Sequence, residues 1–314
     1  MILPSAIAAF VPMFIYLLLI WRFDQYDREP FPLIIRNFMW GALGAIFFAL
    51  VGSYVLTFLV SIFIHNKESL TKIETIIIAP LVEETTKGIF LFFTVNSRKF
   101  DNMTDGIVYG GAIGLGFGMT ENFLYFIANT GNLNTWVTIV VIRTLFTSVM
   151  HCVSTATLGA FLGYAKFKNL FYKITFPFLG LASAMLIHFA WNLMISFEKT
   201  EPLGFLFMFI TILIFIVVFS ISVSNDRSII YLELLEEAKN GIIPMSHIPI
   251  LNSSERNKFG WIDEKIRKLY IQAATTLAFR KMQSRNTKGF NHIFYENDVL
   301  HYRNYIQTLL AETK

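Results

Sequence analysis

Seven stretches of this chain are apolar over about the 20 residues that a helix needs to cross a bilayer, or more. They fall at roughly 2–21, 32–64, 74–95, 105–129, 136–165, 174–197 and 202–224. No other feature restricts the fold so strongly. Hydrocarbon offers no water to backbone N–H and C=O groups, so a spanning segment must satisfy its own hydrogen bonds as a helix or join a closed barrel. Apolar runs of this length are helical rather than strand-like. The expected fold class is all-α: a polytopic membrane protein of about seven transmembrane helices.

Composition agrees and divides the chain. Hydrophobic residues make up 54% and charged residues 15%, against about 25% charged in a soluble domain. Residues 1–224 carry 13 of the 26 Lys and Arg, and the much shorter stretch 225–314 carries the other 13. We therefore expect a transmembrane domain at 1–224 and a cytoplasmic helical tail at 225–314. In the tail, Ile262, Ile266, Leu269, Tyr270, Ala273 and Leu277 recur at helical spacing, as do Val299, Tyr302, Ile306, Leu309 and Leu310. A first tail helix is expected at about 227–239, ended by Asn240-Gly241 and Pro244.

The net charge of +4 contains no basic run, so nucleic acid is not an expected partner; the lipid bilayer is. The single cysteine, Cys152, excludes an intrachain disulfide framework and a cysteine-based zinc site. The N-terminal apolar run has no basic residues before it and continues to Trp21, so it reads as a first transmembrane helix rather than a signal peptide. Alternate loops hold seven Lys and Arg (Arg22, Arg28, Arg98, Lys99, Lys166, Lys168, Lys173) against three (Lys67, Lys72, Lys199). The richer side should be cytoplasmic, which places the N-terminus outside and the tail inside.

Ionisable residues within the spans are the next constraint. Each costs roughly 2.5–3.5 kcal/mol to insert at the bilayer centre, so they mark function by default. "LVEETTKGIF" places Glu83, Glu84 and Lys87 well inside the third span. Lys87 follows Glu84 at i+3 and Glu83 at i+4, so it reaches either carboxylate. One cation for two carboxylates leaves an acid short of a partner. The fourth span adds Glu121 and Asn122, after a ridge of Gly106, Gly110, Gly114 and Gly118 that allows close helix approach. The fifth carries Arg143, Thr147, His151, Thr155 and Gly159, four apart; the sixth carries His188 and Asn192 in "HFAWN". His65, His247, His292 and His301 read as surface or packing histidines.

Carboxylates and histidines at similar membrane depth suit three tasks. One is hydrolysis with a glutamate as general base and His and Asn at the oxyanion. The second is metal-assisted hydrolysis, with His151, His188 and a glutamate as zinc ligands. The third is proton-coupled transport. No HExxH, GxSxG or GxGD protease signature is present.

"EETTK" fits EExxK, "FGMTEN" (Phe117 to Asn122) fits FxxxEN, "RTLFTSVMHCVSTATLG" fits an arginine, here Arg143, followed by HxxxTxxxG, and "HFAWN" fits HxxxN. In this order the four motifs resemble the PrsW family of bacterial intramembrane proteases, which is related to the CAAX prenyl proteases. "RFDQYDREPFPL" also resembles the family's first cytoplasmic loop. The resemblance implies hydrolysis of a peptide bond in a membrane-anchored protein, an anti-sigma factor in stress-response members, at the bacterial inner membrane. It implies catalytic roles for Glu83, Glu84, Glu121, His151, His188 and Asn192, with Lys87, Asn122, Phe117 and Arg143 in support. In the CAAX relatives the position of Glu83 activates water, that of Glu84 supports it, and those of His188 and Asn192 form the oxyanion hole. These relatives have a histidine at the position of Glu121. The resemblance admits a metal-free or a zinc enzyme. Pairing of Lys87 with a carboxylate favours no cofactor, since a metal would supply the positive charge itself; zinc stands as the alternative.

Overall fold

A computed structural model describes residues 1–312. Among these residues there is no β-strand, and the protein is an all-α polytopic membrane protein. Seven long helical rods follow the seven apolar stretches: α1 (Ile2–Phe23), α2 (Phe31–Ser61), α3 (67–95), α4 (Met103–Ala128), α5 (Leu133–Ala165), α6 (Leu170–Ile195) and α7 (Glu201–Lys239). Five of them, α1, α2, α5, α6 and α7, are long and apolar enough to cross a membrane. In α3 the cluster Glu83, Glu84 and Lys87, and in α4 the glycines with Glu121 and Asn122, dilute the hydropathy.

The rods start where asparagines cap them. Asn66, Asn102, Asn132 and Asn169 each accept a backbone N–H from the first turn of α3, α4, α5 and α6. These bonds satisfy donors that a helix start leaves open. Three rods also contain a π-helical turn: Trp40–Ala45 in α2, Glu74–Ile78 in α3 and Arg143–Thr147 in α5. Such widened turns recur at functional sites.

The chain forms two compact units. The first comprises Met1–Asp24 and Glu29–Phe219; the second comprises Gln25–Arg28 and the chain from Ser220 onward. In the first unit α4 is the most enclosed helix, buried almost continuously from Thr104 to Met119. Its glycine ridge meets the backbone of α5. A Cβ on Gly106 would stand 1.9 Å from the Gly159 carbonyl oxygen, and one on Gly114 would stand 2.1 Å from that of His151. Gly116 meets α2 in the same way, at the Phe38 carbonyl oxygen. The ridge therefore packs within the chain and brings the backbone of α5 directly against α4.

In the second unit, the end of α7 packs with α8 (His247–Leu251), α9 (Glu264–Arg285) and α10 (Phe290–Ala311) around Leu234, Tyr270, Leu277, Val299 and Ile306. No separate helix starts at about 227, because α7 runs unbroken through 39 residues. At 1.5 Å per residue that is about 58 Å, roughly twice the hydrocarbon thickness. Helix α7 stops at Asn240 and Gly241, where Gly241 adopts φ 75°. Leu269, expected on the inner face of α9, is 47% exposed. Lys281 pairs with Glu237 at 2.6 Å, and Arg303 grips the same carboxylate with two bonds of 2.7 and 2.8 Å. Tyr26 packs on this unit's core, and Arg256 donates to its carbonyl oxygen at 3.1 Å.

Candidate active site

Glu83, Glu84 and Lys87 lie one helical turn or less apart on α3, after its π-helical turn and Pro80. Glu84 and Lys87 are fully buried. Lys87 donates to Glu84 Oε1 at 2.8 Å and lies 3.5 Å from Glu83 Oε2. Glu84 has two more partners: His188 Nδ1 on α6 at 2.9 Å and the Thr155 hydroxyl on α5 at 3.2 Å. The two adjacent glutamates are thus unequal. Glu84 is held on three sides, whereas Oε2 of Glu83 is buried without a hydrogen-bond partner.

His151 links this pair to a second group. Its Nδ1 lies 2.8 Å from Lys87 Nζ and its Nε2 lies 2.7 Å from Glu121 Oε2. Arg143 NH2 meets the same Glu121 oxygen at 2.6 Å, and Arg143 Nε donates to Asn122 Oδ1 at 3.0 Å. Asn122 in turn donates to the Ser148 hydroxyl at 2.7 Å. Phe117 floors the cluster: Lys87 Nζ stands 4.0 Å above its ring centre and the His151 ring lies 5.2 Å away. The His151 and His188 rings meet edge to face at 4.9 Å. Four helices therefore converge, and the Gly114 contact is what lets His151 reach Glu121 and Lys87.

Nine of the ten residues singled out by sequence share this network. Asn192 stands apart from it by its partner: its amide donates to the Thr75 carbonyl oxygen at 2.9 Å, inside the π-helical turn of α3. One of its two N–H bonds is used there. Two residues given no role from the sequence also take part. Thr155 sits one turn after His151 and was legible from that spacing; Ser148 belongs to no motif and had no signal of its own.

Glu83, His151 and His188 each offer a ligand atom within 4.8 Å of the others. Glu83 Oε2 lies 3.9 Å from His151 Nδ1 and 4.0 Å from His188 Nε2. A zinc ion needs a lone pair from each ligand. Lys87 already donates to the lone pair of His151 Nδ1, and its ammonium would crowd the dication. In this arrangement the residues do not fit a metal.

A helical membrane protein with a buried cluster of glutamates and histidines falls among the membrane-embedded enzymes and proton-coupled transporters. Comparison with known proteins makes the assignment specific. The model of the PrsW family of intramembrane metalloproteases matches residues 29–221, more than half of the chain, and the chain belongs to that family. It is similar to Protease PrsW of Geobacillus kaustophilus (31% identical over 145 residues, covering 46% of this chain and 59% of that protein). Protease PrsW of Clostridioides difficile is 26% identical over 207 residues, covering 65% and 84%; that of Bacillus subtilis is 28% identical over 177 residues, covering 55% and 74%. No solved structure matches. The protein is thus an intramembrane protease of the PrsW family.

Proposed function

We propose that the protein cleaves a membrane-anchored protein, an anti-sigma factor being the substrate class its family resemblance suggests, through water activated by Glu83. The observation that carries this reading is the inequality of the two glutamates. Glu83 Oε2 has no hydrogen-bond partner, while Glu84 is bound by Lys87, His188 and Thr155. A general base needs a free lone pair close to the water it deprotonates.

Glu83 takes a proton from water as the water oxygen attacks the scissile carbonyl carbon. His188 Nε2, on the same side of the cluster, donates to the oxyanion, joined by the remaining amide N–H of Asn192. Glu83 then passes its proton to the leaving amine as the C–N bond breaks. Glu84 holds the other face of His188. Three acidic side chains, Glu83, Glu84 and Glu121, share the cluster with the basic side chains of Lys87 and Arg143. Glu121, Arg143 and Asn122 position His151, and no step passes through a metal.

The loop charges favour a bacterial inner-membrane protein with its N-terminus outside and its tail in the cytoplasm. The test is co-reconstitution with a single-pass substrate such as an anti-sigma factor. Cleavage should vanish with Glu83→Gln while the protein accumulates normally. Wild-type cleavage by that variant rules out the role of Glu83.

A further inference from the structure

The first unit contains a cavity of about 490 Å³ that shares no residue with the Glu83 cluster. It lies among α4, α5, α6 and α7, with Ile107, Val153, Ala160, Phe176 and Ile214 in its wall. Its wall is apolar, and its two threonine hydroxyls are spent inside their own helices. Thr157 donates to the Val153 carbonyl oxygen and Thr211 to that of Phe207, both at 2.8 Å. An occupant with unsatisfied polar groups would find no partners here, whereas a hydrocarbon chain needs none.

One end of the cavity is different. Tyr164, 42% exposed, lines it near the end of α5 and stacks on Phe176. Lys168 holds its ammonium 5.1 Å above the Tyr164 ring. Lys173 lies in the first turn of α6, beside Tyr172, whose ring also packs on Tyr164. Lys168 and Lys173 are exposed and form no ion pair among the described residues. The neighbouring Lys166 instead turns inward and donates to the Ser97 and Phe100 carbonyl oxygens at 2.7 and 2.6 Å. Two uncompensated cations therefore mark the interfacial end of an apolar slot, on the Lys- and Arg-rich side of the membrane. Basic sites between transmembrane helices at that depth bind anionic headgroups.

We propose that this cavity binds an anionic phospholipid, with an acyl chain in the slot and the headgroup phosphate at Lys168 and Lys173. The test uses the full chain purified in detergent, with phosphatidylglycerol or phosphatidylcholine of identical acyl chains. Native mass spectrometry reads lipid retention, and thermal unfolding reads the stabilisation. The wild type should retain phosphatidylglycerol over phosphatidylcholine and be stabilised more by it. Thr157→Trp, which fills the slot, should abolish retention of both lipids. Lys168→Glu with Lys173→Glu should remove the preference, leaving retention at the phosphatidylcholine level. Equal retention of the two lipids by the wild type overturns the proposal, as does a preference that survives the double substitution. If Thr157→Trp fails to accumulate, the double variant on the surface decides alone. If Thr157→Trp keeps its lipid yet loses cleavage of a membrane-anchored substrate, the slot belongs to the substrate's transmembrane segment and the lipid assignment fails.

Discussion

The ammonium of Lys87 lies 2.8 Å from Nδ1 of His151, on another helix and 64 residues away in sequence. An ammonium has only donors, so Nδ1 is the acceptor and the ring proton resides on Nε2. That proton is donated to Glu121 Oε2 at 2.7 Å. Both ring nitrogens of His151 are therefore committed.

Metal removal tests this arrangement. Cleavage by the wild type should persist after treatment with a strong chelator, and purified protein should hold far less than one zinc per chain. Lys87→Met frees the Nδ1 lone pair and exposes the triad of Glu83, His151 and His188, so that variant should gain zinc. Loss of wild-type cleavage on chelation, restored by zinc, would show that Lys87 moves aside in the working enzyme.

The two glutamates should separate by readout. Glu83→Gln should lower the cleavage rate by about 10²–10⁴-fold, the usual contribution of a general base, with little change in thermal stability. Glu84→Ala strips Lys87 and His188 of a buried partner. Breaking a buried ion pair costs about 3–5 kcal/mol, so this variant should accumulate poorly or melt at a lower temperature. The ratio of rate loss to stability loss, measured on both variants, checks the assignment.

Glycine substitutions probe the helix contact under the site. A Cβ on Gly114 would stand 2.1 Å from the His151 carbonyl oxygen, whereas one on Gly131 meets nothing within 4 Å. Gly114→Ala should destabilise by about 1–3 kcal/mol through overpacking and move His151, lowering cleavage as well. Gly131→Ala should leave both unchanged. Thermal unfolding and a cleavage assay on the pair read the difference.

The second unit should weaken in acid. Burial lowers the pKa of His247, which also packs edge to face on Trp261 and lies 3.0 Å from the Tyr270 hydroxyl. The unfolded chain, with its ordinary value near about 6.5, then binds a proton that the folded state resists. Stability therefore falls as the pH drops through about 6.5 and is regained above it. His247→Gln should flatten this dependence in melting curves recorded across that range.

Several features were legible because burial of charge in an apolar run is costly wherever the chain goes. The helical rods followed from apolar length, and Glu83, Glu84, Lys87, Glu121, His151 and His188 stood out as ionisable groups at membrane depth. Other features had no local signal. Lys87 reaches Glu83 and Glu84 by helical spacing alike, so only the approach of His188 and Thr155 to Glu84 made the two carboxylates unequal. The partner of Asn192 is a carbonyl in a π-helical turn, and nothing in the residues 74–78 announces that turn.

Sequence alone determined that this chain is a bundle of membrane helices with a polar cluster at its heart, because hydropathy and the cost of buried charge act residue by residue. It also showed a glycine ridge on α4 but not what that ridge meets. The tertiary structure decided that α5 meets it, through Gly106, Gly110 and Gly114, and so set His151 between Lys87 and Glu121. The physical reason is that close packing and hydrogen-bond pairing depend on distances between helices. Those distances arise only when side chains far apart in the chain are brought together.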